Sequence, residues 1–241
     1  MKSNARDSFF YKFYFRLIND LPSARERSAI SPILYAQYHI VSSLIKKHAY
    51  GQCIDLGCGN APFYEEIKDN VVRYDTLDKE RKIELLTFEA DIEDLHIVPS
   101  ETYDFALCLD VLEHVPHPWV ALSEIRRILK SGAILIISVP HLSRLHEVPH
   151  DYYRFTEFGL RTLLADHGFS VILIERRGGL LSFLHHQVSL FVVMLLWPIP
   201  IIGQVALFVS RLFSFIVWKC DELLKLPLLF PAGYIVIAKR L

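Results

Sequence analysis

Two hydrophobic periods alternate along the chain and predict its elements. Short, largely apolar runs begin at Cys53 and then occupy residues 71–77, 84–90, 103–109, 133–139, 170–176 and 233–239. Their length and lack of polar alternation predict strands covered on both faces. Stretches of helical period lie between them. Residues 31–49 lead into the first strand, and Phe63, Tyr64 and Ile67 begin a helix just after it. Pro118 opens a helix whose Ala121, Leu122, Ile125, Ile128 and Leu129 share one face, and Ser131-Gly132 stops it. Thr156 caps another helix that runs to His167 and stops at Gly168. Buried strands alternating with amphipathic helices predict an α/β fold with a mostly parallel sheet and helices on both faces.

The pattern breaks once. Between the sixth and seventh strands a hairpin would suffice, yet more than fifty residues intervene, and Gly178 to Ser210 contains no Asp, Glu, Lys or Arg over 33 positions. The sheet faces already have their helices, so this surface predicts a membrane or a partner. Both flanking strands belong to one sheet, which excludes a single span, and two spans barely fit the length. The preferred expectation is a helical pair that dips into one leaflet. It breaks at Pro198 and Pro200 and carries Trp197 and Trp218 at the interface. Dimerisation through these helices is the competing explanation.

Near the N-terminus, Phe9, Phe10, Tyr11, Phe13, Tyr14, Phe15, Leu17 and Ile18 are interrupted by Lys12 and Arg16. This segment suits a membrane interface or a helix covering the domain edge, and the sequence leaves both open. Charges at Lys2, Arg6 and Asp7 are unlike the apolar core of a signal peptide. The chain therefore divides into an N-terminal helical or interfacial segment (1–49), a core (50–177), the apolar insertion (178–230) and a last core strand (231–241).

Composition narrows the function classes. With 26 basic and 27 acidic residues, no net field attracts nucleic acid. The four cysteines, Cys53, Cys58, Cys108 and Cys220, form no CxxC pair and look like small core residues of a reducing compartment. The 52% hydrophobic content is concentrated near the C-terminus.

The chemistry starts at CIDLGCGNAPF, residues 53–63. Gly57 and Gly59 allow a tight turn and leave no Cβ between backbone and ligand at a helix N-terminus. Asp55 just before them would repel a pyrophosphate but suits a cationic amino acid moiety. Pro62 stands where a dinucleotide fingerprint needs its third glycine, which argues against NAD or FAD. Asp78, at the end of the second strand, is placed to accept two ribose hydroxyls. Asp91 with Ile92 follows the third strand, and LDVLEHV follows the fourth.

In this order the features resemble the class I S-adenosylmethionine (SAM) dependent methyltransferases, a Rossmann-like family. The resemblance implies a seven-stranded sheet whose seventh strand inserts antiparallel between the fifth and sixth. It also implies SAM as cofactor, with Asp55, Gly57 and Gly59 on the methionine part, Asp78 on the ribose, Asp91 and Ile92 on the adenine, and Asp110 completing the set. Ala61 replaces the family's frequent third glycine.

Past Pro140 the loop HLSRLHEVPHDYYRFTEFGL should lie above the donor methyl, outside the carboxyl ends of the strands. Its run from His146 to Thr156 resembles a motif of bacterial methyltransferases encoded beside polysaccharide and lipid-linked sugar genes. Methyl transfer from a sulfonium needs alignment and, for a hydroxyl acceptor, a base. His146 is the first candidate, oriented by Asp151, and His114 the second. Asp110, Glu113 and His114 also resemble the E-x-x-E-H metal site of some methyltransferases. The shorter Asp and the lack of a fourth ligand favour a structural role, so no metal is expected. The expected protein is a SAM-dependent methyltransferase at the cytoplasmic face of a membrane. Its acceptor is amphipathic, a lipid-linked sugar or a quinone-like ring. The alternative is a membrane-docked SAM-binding module that regulates or scaffolds a partner.

Overall fold

The computed structural model describes residues 9–241. The charges at Lys2, Arg6 and Asp7, and the side chains of Phe9, Phe10 and Tyr11, lie outside the described residues. The chain opens with α1 (Phe9–Asp20), α2 (Ala24–Arg27) and α3 (Pro32–His48). There follow β1 (Gln52–Leu56), α4 (Tyr64–Ile67), β2 (Arg73–Asp78), β3 (Phe88–Glu89) and β4 (Tyr103–Leu109). Next come α5 (Pro118–Ile128), β5 (Leu129–Pro140), α6 (Glu157–Asp166) and β6 (Phe169–Arg177). The helices α7 (Leu180–Leu196) and α8 (Ile202–Leu223) precede β7 (Gly233–Arg240).

The seven strands form one sheet in the order β3-β2-β1-β4-β5-β7-β6. The β2, β1, β4 and β5 neighbours are parallel, and β7 runs antiparallel to β5 with Ile134 opposite Lys239 and Pro140 opposite Gly233. Alternation along the central strands covers both faces. Ala106, Cys108, Leu135, Ile137 and Val236 pack with Leu122 and Ile125 of α5 and Leu160 and Leu164 of α6, while Phe105, Leu107, Ile136 and Ile235 on the opposite side are also fully buried. Burial of this kind contributes roughly 1.5–3 kcal/mol per large apolar side chain.

Two boundaries differ from the pattern. The third strand shrinks to two residues; just ahead of it Thr87 N–H donates to both Thr76 O (3.2 Å) and Thr76 Oγ1 (3.0 Å), and that hydroxyl donates to Leu85 O (2.7 Å). The fifth strand starts at Leu129, directly after α5 and ahead of Gly132, and a register shift absorbs the extra residues.

Two compact units divide the chain. One, Ile40–Arg176 with Gly233–Leu241, is built on the sheet. The other, Met1–His39 with Arg177–Ala232, combines the N-terminal segment with the insertion. In that second unit Leu17 and Leu21 of α1 and Ile30 pack on Leu190, Val193 and Met194 of α7. The helices α7 and α8 break at Pro198 and Pro200, where the sequence predicts it. Asp221, fully buried, accepts the N–H groups of Gly179 (2.9 Å), Leu181 (3.0 Å) and Ser182 (2.8 Å), which α7 leaves open at its start. Trp197 donates to Asp20 (2.7 Å), and Trp218 stacks with His39.

Burial in this hairpin is inverted. The positions α8 buries are Gly203, Ser210, Ser214 and Asp221, and α7 buries Ser182 and Ser189 beside its three core apolar residues. Phe191, Val192, Phe208, Leu212, Phe213 and Ile216 face outward. Among the described residues α8 alone, 22 residues long, has the length and apolarity of a span, with 17% of its most apolar window buried. The 17 residues of α7 fall short of that test.

Candidate active site

The turn after β1 is tied to β2, since Gly57 and Cys58 both donate to Leu77 O (2.8 and 3.0 Å). The two glycines serve different ends. A Cβ on Gly57 (φ +67°) would stand 2.5 Å from Val111 Cγ2, so this glycine makes room for the turn after β4. A Cβ on Gly59 (φ +55°) would meet nothing within 4 Å, so here the backbone borders open space. Ala61 also has positive φ (47°), a conformation that costs an alanine roughly 1–2 kcal/mol and that glycine adopts freely.

Two carboxylates flank that space. Asp78, at the end of β2, accepts Gly59 N–H (2.9 Å) and Glu80 N–H (3.2 Å), which locks the turn to the strand end. Asp55 is buried and accepts the hydroxyl of Tyr74 (2.7 Å). Burial raises its pKa to about 7 and Asp78 adds to the rise, while the Tyr74 hydroxyl opposes it. A buried acid poised near neutrality beside an open glycine fits a ligand that brings its own ammonium, as the amino acid end of SAM does. Asp91 is exposed and closes its own turn onto Glu93 N–H (2.9 Å), while Ile92 is buried in the core. Asp110, directly after β4, has a left-handed conformation (φ 53°) and donates its N–H to Ser138 O (2.9 Å).

The second cluster joins two segments that are distant in sequence. After β4 a 3-10 turn, Leu112–His114, presents Glu113 and His114. The loop after β5 is stitched onto it: Tyr152 N–H donates to Glu113 O (2.8 Å), His114 Nδ1 to His150 O (2.6 Å) and Tyr153 OH to Pro116 O (2.8 Å). His146 thereby lies edge-on to His114, with ring centroids 4.6 Å apart. Burial, then His114, lowers the His146 pKa, with Asp151, Arg144 O and Asp110 opposing. The Asp151 carboxylate is 2% exposed and is gripped bidentately by Arg154 (2.6 and 2.7 Å). Burial alone would raise its pKa, but Arg154 and the His146 N–H outweigh it and hold the acid below its ordinary range. Asp151 meets His146 through that backbone N–H (2.9 Å) and lies 3.4 Å from Nδ1.

The structure thus gathers Asp55, Gly57, Gly59 and Asp78 at one place and His114, His146 and Asp151 at another, while the Asp91 carboxylate stays with its own turn. Sequence reasoning missed Tyr74 and Arg154. Tyr74 is an ordinary strand residue by pattern, and only the parallel register, which sets Cys53 beside it, points it at Asp55. The spacing of Arg154 three residues past Asp151 was a usable signal.

The family model for a methyltransferase domain matches residues 8–174, well over half of the chain. A ubiquinone biosynthesis O-methyltransferase of Burkholderia ambifaria is 27% identical over 139 residues, covering 43% of this chain and 57% of that protein. An uncharacterized protein of Methanocaldococcus jannaschii is 35% identical over 123 residues, covering 48% of this chain and 54% of its own length. The chain thus spans little more than half the length of the curated relatives it matches. Among solved structures, a SAM-dependent methyltransferase of Archaeoglobus fulgidus has the same fold (TM-score 0.59, 19% identity, 94% of this chain and 99% of that one). So does 1,6-didemethyltoxoflavin-N1-methyltransferase of Burkholderia thailandensis, solved with S-adenosylhomocysteine (TM-score 0.53, 15% identity, 87% and 78%). With the glycine turn, its two carboxylates and the inserted antiparallel strand, the family match establishes that the chain belongs to the methyltransferase-domain family.

Proposed function

We propose that the protein transfers a methyl group from SAM to an oxygen of an amphipathic acceptor held at a lipid surface on the cytoplasmic side. The inverted hairpin carries this reading. In water a helix pair buries its large apolar side chains, whereas α8 buries glycine and serine and turns Phe208, Leu212 and Phe213 outward. Small inward residues with an apolar exterior are the packing arrangement of helices in lipid, where apolar surface needs no burial in protein. The length of α7 favours immersion in one leaflet: its 17 residues at 1.5 Å each reach about 26 Å, short of the roughly 30 Å hydrocarbon core. The relative named as a ubiquinone biosynthesis O-methyltransferase supports an oxygen acceptor of lipid-like character.

At the acceptor, the hydroxyl proton passes to Nε2 of His146 as its oxygen takes the methyl group and the C–S bond breaks. Asp151 and Arg154 hold the loop, and His114 lines the same face. Asp55, Gly57, Gly59, Asp78, Asp91, Ile92 and Asp110 hold SAM.

Flotation with lipid vesicles tests the surface. The full chain should float with the vesicles at high salt and be released by detergent, because its outward face is apolar and not basic. Changing Phe208, Leu212 and Phe213 to serine together should abolish flotation and leave SAM affinity intact. A detergent-free monomer that does not float overturns the reading, and a stable dimer through the hairpin assigns these helices to a subunit interface.

A further inference from the structure

Glu113, His114 and His146 converge in a way the reaction above leaves unused. Glu113 is fully buried, and its Oε1 lies 3.8 Å from His114 Nε2 and 3.9 Å from His146 Nε2. The three potential ligand atoms all fall within 4.8 Å of one another.

Both rings turn the same nitrogen toward that point. His114 Nδ1 is 2.6 Å from His150 O, a pure acceptor, so Nδ1 carries the hydrogen and Nε2 keeps its lone pair. His146 Nδ1 has two acceptors, Arg144 O at 3.3 Å and Asp151 Oδ2 at 3.4 Å, both nearer than the one donor, Arg154 Nη2 at 3.5 Å. Its Nε2 is then also a lone pair. Two imidazole lone pairs and a carboxylate oxygen aimed at one spot make a ligand set, and the bonds at the two Nδ1 atoms are the outer contacts that fix ligating histidines.

We propose that Glu113, His114 and His146 bind one divalent transition cation, of the class of Zn²⁺, Mn²⁺ or Fe²⁺. Metal–ligand bonds of about 2.0–2.2 Å set tetrahedral ligands roughly 3.4 Å apart, so each histidine closes on Glu113 by about 0.4–0.5 Å and the widest pair of the set by up to about 1.4 Å. Two imidazoles disfavour Ca²⁺ and Mg²⁺, which prefer oxygen cages. Three protein ligands leave a position open to an oxygen of the acceptor.

The sequence alone suggested a structural role for Glu113 and His114. The third ligand, His146, comes from another loop and is brought in by the bonds that stitch the two segments together. The catalytic consequence rests on the acceptor reading given above. A hydroxyl bound to the cation ionises near neutral pH, releasing its proton to solvent, and the alkoxide then takes the methyl group as the C–S bond breaks. The cation and the proton compete for the same Nε2 lone pair, so the loaded enzyme ionises the hydroxyl by charge where the metal-free enzyme does so by proton transfer.

The test is metal binding by the full chain after treatment with a chelator, followed by calorimetry with Zn²⁺ and by the visible absorption of Co²⁺. One cation per chain should bind, more weakly as the pH falls. His114→Ala and His146→Ala should each lower affinity tenfold or more, with SAM affinity unchanged as the check on folding. Glu113→Gln should do the same. Failure of the wild type to bind one equivalent, or wild-type affinity in both histidine variants, overturns the inference. Vesicle flotation does not depend on these side chains, so it reports separately on the lipid-surface reading.

Discussion

Asp55 makes SAM binding pH-dependent in a way that can be worked out in advance. Its carboxyl, buried beside Asp78, titrates at about 7 in the free protein, and the ammonium of the bound donor requires the ionised form. Below pH 7 the protein must first release a proton, and each further pH unit weakens binding about tenfold, or ~1.4 kcal/mol. Between pH 8 and pH 6 affinity should therefore fall by about a factor of ten. Calorimetry in buffers of different ionisation enthalpy should show close to one proton released per SAM at pH 6 and almost none at pH 8.

Two variants isolate the cause. Asp55→Asn should bind weakly and with no pH dependence over this range. Tyr74→Phe removes the hydroxyl that stabilises the carboxylate and should move the midpoint upward. Stability of the free protein runs the other way. Because the folded-state pKa lies above the unfolded value near 3.9, this group's contribution is whole below about pH 4 and is lost as pH rises through about 7. A wild-type affinity that is flat from pH 6 to pH 8 would refute the argument.

Other residues yield simpler expectations. Asp78→Ala should weaken SAM by about 1.5–3 kcal/mol, the range for hydrogen bonds to a charged group, and NAD should not bind at all; NAD binding of comparable strength contradicts the assignment. Asp221→Ala strips three N–H groups at the start of α7 of their acceptor and should cost about 2–4 kcal/mol, seen as a lower melting temperature; an unchanged melting temperature means water replaces the carboxylate.

Most of the fold is legible in the sequence because it rests on local chemistry. The Thr156 cap, the proline break of the hairpin and the residues closing β1, β2 and β4 follow from interactions within a few positions, which a pattern can carry. The true extent of the third strand is not visible there, since Thr76 and Thr87, 11 apart, add side-chain bonds to their backbone bond ahead of the two-residue strand. The glycine turn was found, but the two glycines look alike in sequence. Only Val111, arriving from the next crossover, separates a packing role at Gly57 from an open face at Gly59. The meeting of His146 with Glu113 depends on Tyr152 and His150 docking onto the earlier turn, and no period along the chain encodes that. The small inward positions of α8, at 203, 210, 214 and 221, did carry a signal in their spacing. It is masked when the segment is read only for its hydrophobicity.

The placement of β7 orders events during synthesis. This strand occupies the slot between β5 and β6, yet the ribosome makes it after the whole hairpin. Until then the inner edge of β5, from Ile134 to Pro140, has no strand to receive its hydrogen bonds. The apolar helices therefore emerge while the catalytic half of the molecule is still unfinished, before the sheet can close. The hairpin is made first and the enzyme is completed second, so maturation of the catalyst waits on synthesis of the insertion.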